Sequence, residues 1–424
     1  MEQKNQNEEK MVESISLLNE IKAGNLTNYC LEKFKTEKED FSVGENVFQL
    51  EKEPFFLEDQ FKVDPEGGLE FINNEVIKKQ RGILPAVLKS LGSAILNGKP
   101  LGSITLPYEV LVDYSILERT ANTLTYAPHF LEKGGEINDP YEQFCIAISH
   151  WIASFHLAAY QFTPIEPLLG ETFQGKIGGC PVYFEQMTPF EGGNATLGFY
   201  LVGKNFTLGG AWGIAASVSP NSVKGQLIGP SETYFKNNGT KVYFQHPYCQ
   251  VSGTAFGKRK IDYGGKFYAW DPVNKFVAEL EVDPPADGFW SKKTTQTDFI
   301  RGRILIGKDS IFKKIQEAVA KKKAFEIKID KDDIVEEKSK IEGSWIGTFK
   351  IDEKVYWKLG SIKPYKLFKC DLLLPSDSNL RPDALWKRLG DDKKAEQARE
   401  PLKIQEINDT KSMKKKKEKK GFFF

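Results

Sequence analysis

The sequence predicts an α+β protein that is mainly β, built as a large antiparallel β-barrel with flanking helices. Three observations predict it. Between about residues 173 and 357 apolar residues tend to recur at every second position, with Gly-, Asn- and Pro-rich breaks roughly every eight to twelve residues. On either side of that stretch the apolar spacing is helical or absent. The 424 residues are 40% hydrophobic and 12% aromatic, with 30 Phe and 15 Tyr, enough to build a large core or line a large apolar cavity.

Residues 1–79 read as an N-terminal extension. It has a charged start, helical spacing at Ile15, Leu18 and Ile21, and a polar, acidic stretch through Asp40. Residues 80–97 follow. There Val87, Leu88, Leu91, Ile95 and Leu96 recur at three- and four-residue intervals behind Pro85, and Gly98 and Pro100 end the run. That spacing makes a short amphipathic helix, which either packs on the core or forms a lid over a cavity. The clearest helix starts at Asp139, with Pro140 at its first position and Glu142 placed to complete a capping box. Its face of Tyr141, Phe144, Ile148, Trp151, Ile152, Phe155 and Ala159 suits core packing, with lipid contact as the alternative. His150 and His156 have no acidic or cysteine partner at ligand spacing and read as structural.

In the β region, Ala278, Leu280 and Val282 alternate with Glu279 and Glu281. Ile341, Gly343, Trp345, Gly347, Phe349 and Ile351 alternate with mainly polar neighbours. Strands with one dry face in so long a meander bury it most economically by curling into a barrel, which also removes exposed edges. A barrel of this size leaves a cavity. A Lys-rich helical insert is expected from Ala318 to Phe325. Residues 383–405 are charged and partly helical, with Pro401 expected to break or kink the helix. The last stretch, 408–424, reads as a basic disordered tail, with Lys411, Lys414, Lys415, Lys416, Lys417, Lys419 and Lys420 ahead of Phe422, Phe423 and Phe424.

Acidic and basic residues balance at 58 against 59, which leaves no electrostatic footprint for nucleic acid. Five widely spaced cysteines without a CxxC argue against a disulfide framework and a zinc site, so a reducing compartment is expected. The polar N-terminus lacks a secretory apolar segment, and no run of about 18 apolar residues occurs. A cytoplasmic, non-spanning protein is expected, and its Asn-x-Thr sequons read as chance. No GxSxG or HExxH is present. The run from Gly198 to Asn205 has P-loop spacing, but Asn205 stands where a magnesium-binding Ser or Thr is needed and bulky apolar residues fill the loop. No enzyme, metal or cofactor is predicted.

The segment Pro164-Ile165-Glu166-Pro167-Leu168-Leu169-Gly170-Glu171-Thr172-Phe173, following a helix, resembles the signature of the oxysterol-binding protein family. A second match is Asp377-Ser378-Asn379-Leu380-Arg381-Pro382-Asp383, with Gly390-Asp391 after it. Glu185-Gln186 begins a third, the family's histidine fingerprint. The resemblance implies a nearly closed antiparallel barrel around a hydrophobic tunnel, an N-terminal lid helix, and a lipid-binding domain over residues 80–407. It implies binding and transfer of one sterol or phospholipid, with contacts at Pro164, Leu168, Leu169, Gly170, Glu171, Thr172 and Phe173, at Tyr160, and at Arg399. A lipid sensor or scaffold that does not transfer lipid is the alternative.

The departures from the family pattern concern the headgroup. After Met187-Thr188, Pro189 and Phe190 stand where the family carries its His pair, Thr163 replaces a headgroup-binding Lys, and Glu166 replaces the signature Asn. A weak or missing phosphatidylinositol 4-phosphate site is therefore expected. Membrane contact is assigned to Lys414, Lys415, Lys416, Lys417, Phe422 and Phe423, which suit peripheral attachment to an anionic surface. The run Glu53-Pro54-Phe55-Phe56-Leu57-Glu58-Asp59 is similar to a two-phenylalanine acidic motif, implying an endoplasmic-reticulum receptor, though it lacks that motif's Asp and Ala. A monomer is expected.

Overall fold

Period-two alternation produces one antiparallel meander that curls around a helix. The computed structural model describes residues 58–96, 106–189, 195–283, 296–370 and 373–421. Its helices include α1 (Asn74–Leu96), α2 (Ile116–Asn122), α3 (Pro140–Ala158), α4 (Asp309–Ala320), α5 (Pro382–Arg388) and α6 (Asp392–Gly421).

Among the described residues the main sheet has 17 strands. Thr172–Ile177, Cys180–Gln186, Thr196–Val202 and the long Phe206–Ser219 pair in chain order. One edge of Phe206–Ser219 carries both Ser222–Ile228 and Ser231–Phe235, two halves of one interrupted strand. Lys241–Phe244 and Tyr248–Ser252 continue the sheet in the same interrupted way and both face Arg259–Asp271. Hairpins then lead through Phe276–Val282, Phe299–Gly307, Ile334–Ser344, Thr348–Ile351 and Lys354–Lys358. Leu367–Lys369 returns to pair with Thr172–Ile177 at the start.

Every residue of α3 from Gln143 to Leu157 is buried, the pattern of a helix enclosed on all sides. Trp151 meets Trp212 and Phe244 with ring centroids 6.0 and 5.6 Å apart, Phe155 stacks on Tyr263 at 4.5 Å, and Phe144 meets Phe276 at 5.7 Å. His156 stacks on Trp357 at 5.7 Å. Strands from the early and the late meander thus reach one helix, which requires a curled sheet. The predicted aromatic face of α3 is buried, and His150 and His156 lie wholly inside the protein, where burial lowers each ring to about 3 and keeps it neutral.

Several local expectations are corrected. The helix expected behind Pro85 begins at Asn74, because Asn73 Oδ1 accepts the Val76 N–H (3.1 Å) and so starts it earlier. Pro85 lies inside it, its missing hydrogen bond outweighed by anchors on the first half: Gln80 donates to the Gln161 carbonyl (2.8 Å) and Arg81 to Gly253 (2.8 Å). Asp139 caps α3 as expected, accepting the Tyr141 N–H (2.9 Å), but Glu142 completes no capping box. It binds Lys354 (2.5 Å) and Tyr356 (2.9 Å) instead. The Lys-rich helix is α4, ending at Ala320, and Lys322 at φ 50 stops it before Phe325. The alternation from Ile341 to Ile351 is a hairpin rather than one strand, with a turn through buried Trp345.

The C-terminal expectation changes most. Residues 408–421, expected to be disordered, belong to α6, and Pro401 does not end that helix. Contacts beyond the proline hold it: Glu406 Oε1 accepts the Leu169 N–H (2.9 Å), and Lys403 lies 4.0 Å from Glu166. The side chains of Val87, Leu88 and Leu91, those of Lys414 to Lys417, and Phe422 and Phe423 lie outside the described residues. So do residues 53–57 of the acidic Phe-Phe run.

Candidate lipid-binding site

Between α3 and the barrel wall the aromatic packing leaves a cavity of about 300 Å³. Its lining is mostly apolar, from Trp151, Phe155, Leu197, Trp212, Leu227 and Tyr263, a composition and size that suit an apolar ligand. Two polar groups of its lining, Trp212 Nε1 and the His246 ring, are held by one serine. Trp212 Nε1 donates to Ser231 Oγ (3.1 Å), which lies 3.0 Å from His246 Nε2. Burial lowers His246 to about 3, so the cavity wall carries a neutral imidazole there.

A second pocket of about 260 Å³ lies outside α2. Pro164, Glu166, Leu168, Arg381, Arg399 and Lys403 line it, so the signature segment and the C-terminal helix form one site although far apart in sequence. Ile116 and Arg119 of α2 line both cavities.

Buried charge fixes the walls of this pocket. Arg381 bridges Glu171 (2.7 Å) and Asp383 (2.5 Å), and donates to the Glu166 carbonyl (2.6 Å). Tyr108 donates to Asp383 (2.5 Å), and the Arg399 guanidinium lies 4.0 Å over the Tyr108 ring. Asp377 accepts the Gln174 N–H (2.9 Å), tying the second motif to the strand after the signature. Burial pushes the Glu171 carboxyl up to about 6 despite Arg381, because that one guanidinium is shared with Asp383. Burial also opposes ionisation of Asp383, but Arg381 and Tyr108 outweigh it and hold that carboxyl below its ordinary range.

The predicted contact residues therefore divide. Pro164, Leu168 and Arg399 line the outer pocket. Glu171 faces Arg381, and its carboxylate accepts the Leu168 N–H (2.9 Å), so it holds the loop's shape. Gly170 takes φ 78, which only glycine adopts without strain, and donates its N–H to the Gln186 carbonyl (2.8 Å). Leu169 is held through its N–H by Glu406, Thr172 faces Ser376 (3.1 Å), and Phe173 is fully buried in the core. Tyr160 packs between Tyr114 and Phe162 in a small separate cluster. Sequence reasoning missed Arg119, Trp212 and His246. They sit on a helix, a strand and a loop far apart in sequence, and no spacing rule links them.

Thr163 lines the outer pocket, its hydroxyl accepting from Gln80 Nε2 (3.4 Å). Thr188 closes the strand end by accepting the Thr196 N–H (2.8 Å). Among the described residues there is no group of three or more His, Cys, Asp or Glu that could hold a metal ion. No described helix is long and apolar enough to cross a membrane.

A curled antiparallel sheet around a buried helix, with an apolar cavity beside that helix and a pocket where two sequence motifs come together, has the form of a ligand-binding fold. Residues 90–424 match the oxysterol-binding protein family, and the chain belongs to it. It is 32% identical over 357 residues to oxysterol-binding protein 9 of Dictyostelium discoideum, covering 82% of this chain and 79% of that protein. It is 27% identical to the oxysterol-binding protein-like protein OBPa of Candida albicans over about half of each chain (49% and 48%). Among solved structures, the Osh3 ORD of Saccharomyces cerevisiae in complex with PI(4)P aligns with a TM-score of 0.54 at 19% identity, over 77% of this chain and 84% of that one. The Osh1 ORD domain in complex with ergosterol aligns at 0.53 and 16%, over 76% and 78%.

Proposed function

We propose that the protein encloses a single sterol or phospholipid in the inner cavity and transfers it between membranes, which it meets peripherally. The observation that carries this reading is the apolar cavity between α3 and the barrel wall, lined by Trp151, Trp212 and Tyr263. Burying several hundred Å² of lipid at roughly 25 cal/mol per Å² stabilises the complex by several kcal/mol before ordering costs. No covalent step is needed, and the role proposed is carriage rather than catalysis. The test is movement of dehydroergosterol or fluorescent phospholipid between two liposome populations. Binding without movement would identify a sensor or scaffold, and no binding at all would refute the reading.

Family membership also raises phosphatidylinositol 4-phosphate as a ligand, and here weak binding is proposed. In the outer pocket Arg381 is committed to Glu171 and Asp383, Arg399 donates to the Leu106 carbonyl (2.9 Å), and Lys403 lies beside Glu166. Glu166 and Glu406 add two carboxylates to the lining. Charge-assisted hydrogen bonds contribute about 1.5–3 kcal/mol each, so three missing donors cost at least roughly 4 kcal/mol, or about a thousandfold. Submicromolar displacement of a bound sterol by this phosphoinositide would overturn the proposal.

A further inference from the structure

The inner cavity and the outer pocket share two lining residues, Ile116 and Arg119, of which Arg119 is the cation. Arg119 is half-buried on α2 and lines both. Its Nη2 donates to the carbonyls of Ala158 (2.9 Å) and Tyr160 (3.0 Å) at the end of α3, which orients the guanidinium fork. Its Nε and Nη1 make no hydrogen bond, and no carboxylate forms an ion pair with it, among the described residues. The other cations of the outer pocket differ. Arg381 pairs with Glu171 and Asp383, Arg399 with Glu396 (3.3 Å), and Lys403 lies 4.0 Å from Glu166.

A half-buried guanidinium beside an apolar cavity, oriented by two carbonyls, offers two free donors that suit a pair of anionic oxygens. A sterol brings only a hydroxyl to those donors. A glycerophospholipid brings a phosphodiester, set between an apolar body and a small head, next to the pocket that holds the charged groups of Glu166, Arg381, Arg399, Lys403 and Glu406.

We propose that Arg119 is the specificity-determining residue of this lipid site, binding the phosphodiester of a glycerophospholipid whose acyl chains fill the inner cavity and whose head occupies the outer pocket. This deepens the lipid-carrier reading and rests on it. It agrees with weak binding of a phosphorylated inositol, because the phosphodiester meets Arg119 whereas a terminal phosphate farther out meets Glu166 and Glu406.

The experiment is native mass spectrometry of the full chain after incubation with vesicles of equimolar dioleoylphosphatidylcholine, dioleoylglycerol and cholesterol. The wild-type protein should carry the phospholipid at least about tenfold over the diacylglycerol, which has the same acyl chains without the phosphodiester, since one charge-assisted contact is enough for that ratio. Arg119→Met should lower the ratio about tenfold while still carrying lipid, and Arg119→Lys should retain part of it. Equal loading of the two glycerolipids on the wild type, a preference for cholesterol, or an unchanged ratio in Arg119→Met overturns the inference. So does an equal fall of all three lipids in a folded Arg119→Met, which would reduce Arg119 to its contacts with Ala158 and Tyr160. If that variant does not fold, the wild-type ratio and Arg119→Lys decide. Lipid-free wild-type protein would refute the carrier reading itself, whereas lipid-loaded protein without phosphodiester preference refutes this inference alone.

Discussion

Gly225 offers the sharpest test of where the lipid sits. It lies in the strand Ser222–Ile228, paired with Ala216 on one side and Cys249 on the other, and it lines the inner cavity together with Cys249 and Leu227. A Cβ added there meets no atom within 4 Å, so a larger side chain enters open space without forcing the backbone. Gly225→Phe places a ring in a cavity of about 300 Å³. The ring takes the room of about four methylene groups of lipid. At about 0.8 kcal/mol per buried CH₂ that exclusion costs the complex about 3 kcal/mol, or roughly a hundredfold in affinity. The lipid-free fold should not suffer. Burying the ring contributes up to about 1.5–3 kcal/mol, and removing a strand glycine recovers roughly 0.5–1 kcal/mol. Uptake of dehydroergosterol and of a fluorescent phospholipid, measured beside the thermal melt, separates the two effects, and Gly225→Ala should behave as wild type. A folded Gly225→Phe protein that takes up lipid like the wild type would show that the cavity is not the lipid site.

Arg381→Met leaves two buried carboxylates without their shared cation and should cost about 3–5 kcal/mol at pH 7.5 in urea unfolding. Burial already raises Glu171 to about 6, above its unfolded value of 4.5, so its contribution to stability is fully present below 4.5 and lost as pH rises through 6. The penalty of Arg381→Met should therefore shrink at pH 5, and a penalty equal at both pH values contradicts the assignment. Replacing Val87, Leu88 and Leu91 together with Ser should speed loss of bound lipid several-fold with the barrel still folded, if the second half of α1 serves as a lid; global unfolding would mean that it packs as core. Deleting residues 411–424 should weaken binding to anionic vesicles, each Lys contributing about 1 kcal/mol near the surface, and unchanged binding would remove the tail from the membrane contact.

The barrel was legible in the sequence because its evidence is local. Alternation along 276–282 and 341–351 shows which residues face inward, and Asp139 followed by Pro140 marks a helix start without reference to anything distant. The same locality explains the errors. A proline at 85 or 401 reads as a boundary on local rules, yet Gln80, Arg81, Lys403 and Glu406 hold those helices through contacts with residues far away in the chain. Hairpin and strand also share one alternation, so the turn at Trp345 left no separate signal.

The site was only half legible, for a related reason. By itself the sequence determined the family, the loop from Pro164 to Phe173 and the motif around Arg381, because these are contiguous strings. Only the tertiary structure decided that Arg381 closes on Glu171, which turned a predicted lipid contact into a fixed wall, and that Arg399 and Lys403 arrive beside Glu166. Only the fold, too, brought Arg119 of α2 to two cavities whose walls come from α3, seven strands and α6. A binding cavity is a volume left between elements, and its lining depends on how those elements cross. Periodicity reports the face a residue takes on its own element, whereas the enclosed space follows from the curl of the whole sheet around α3.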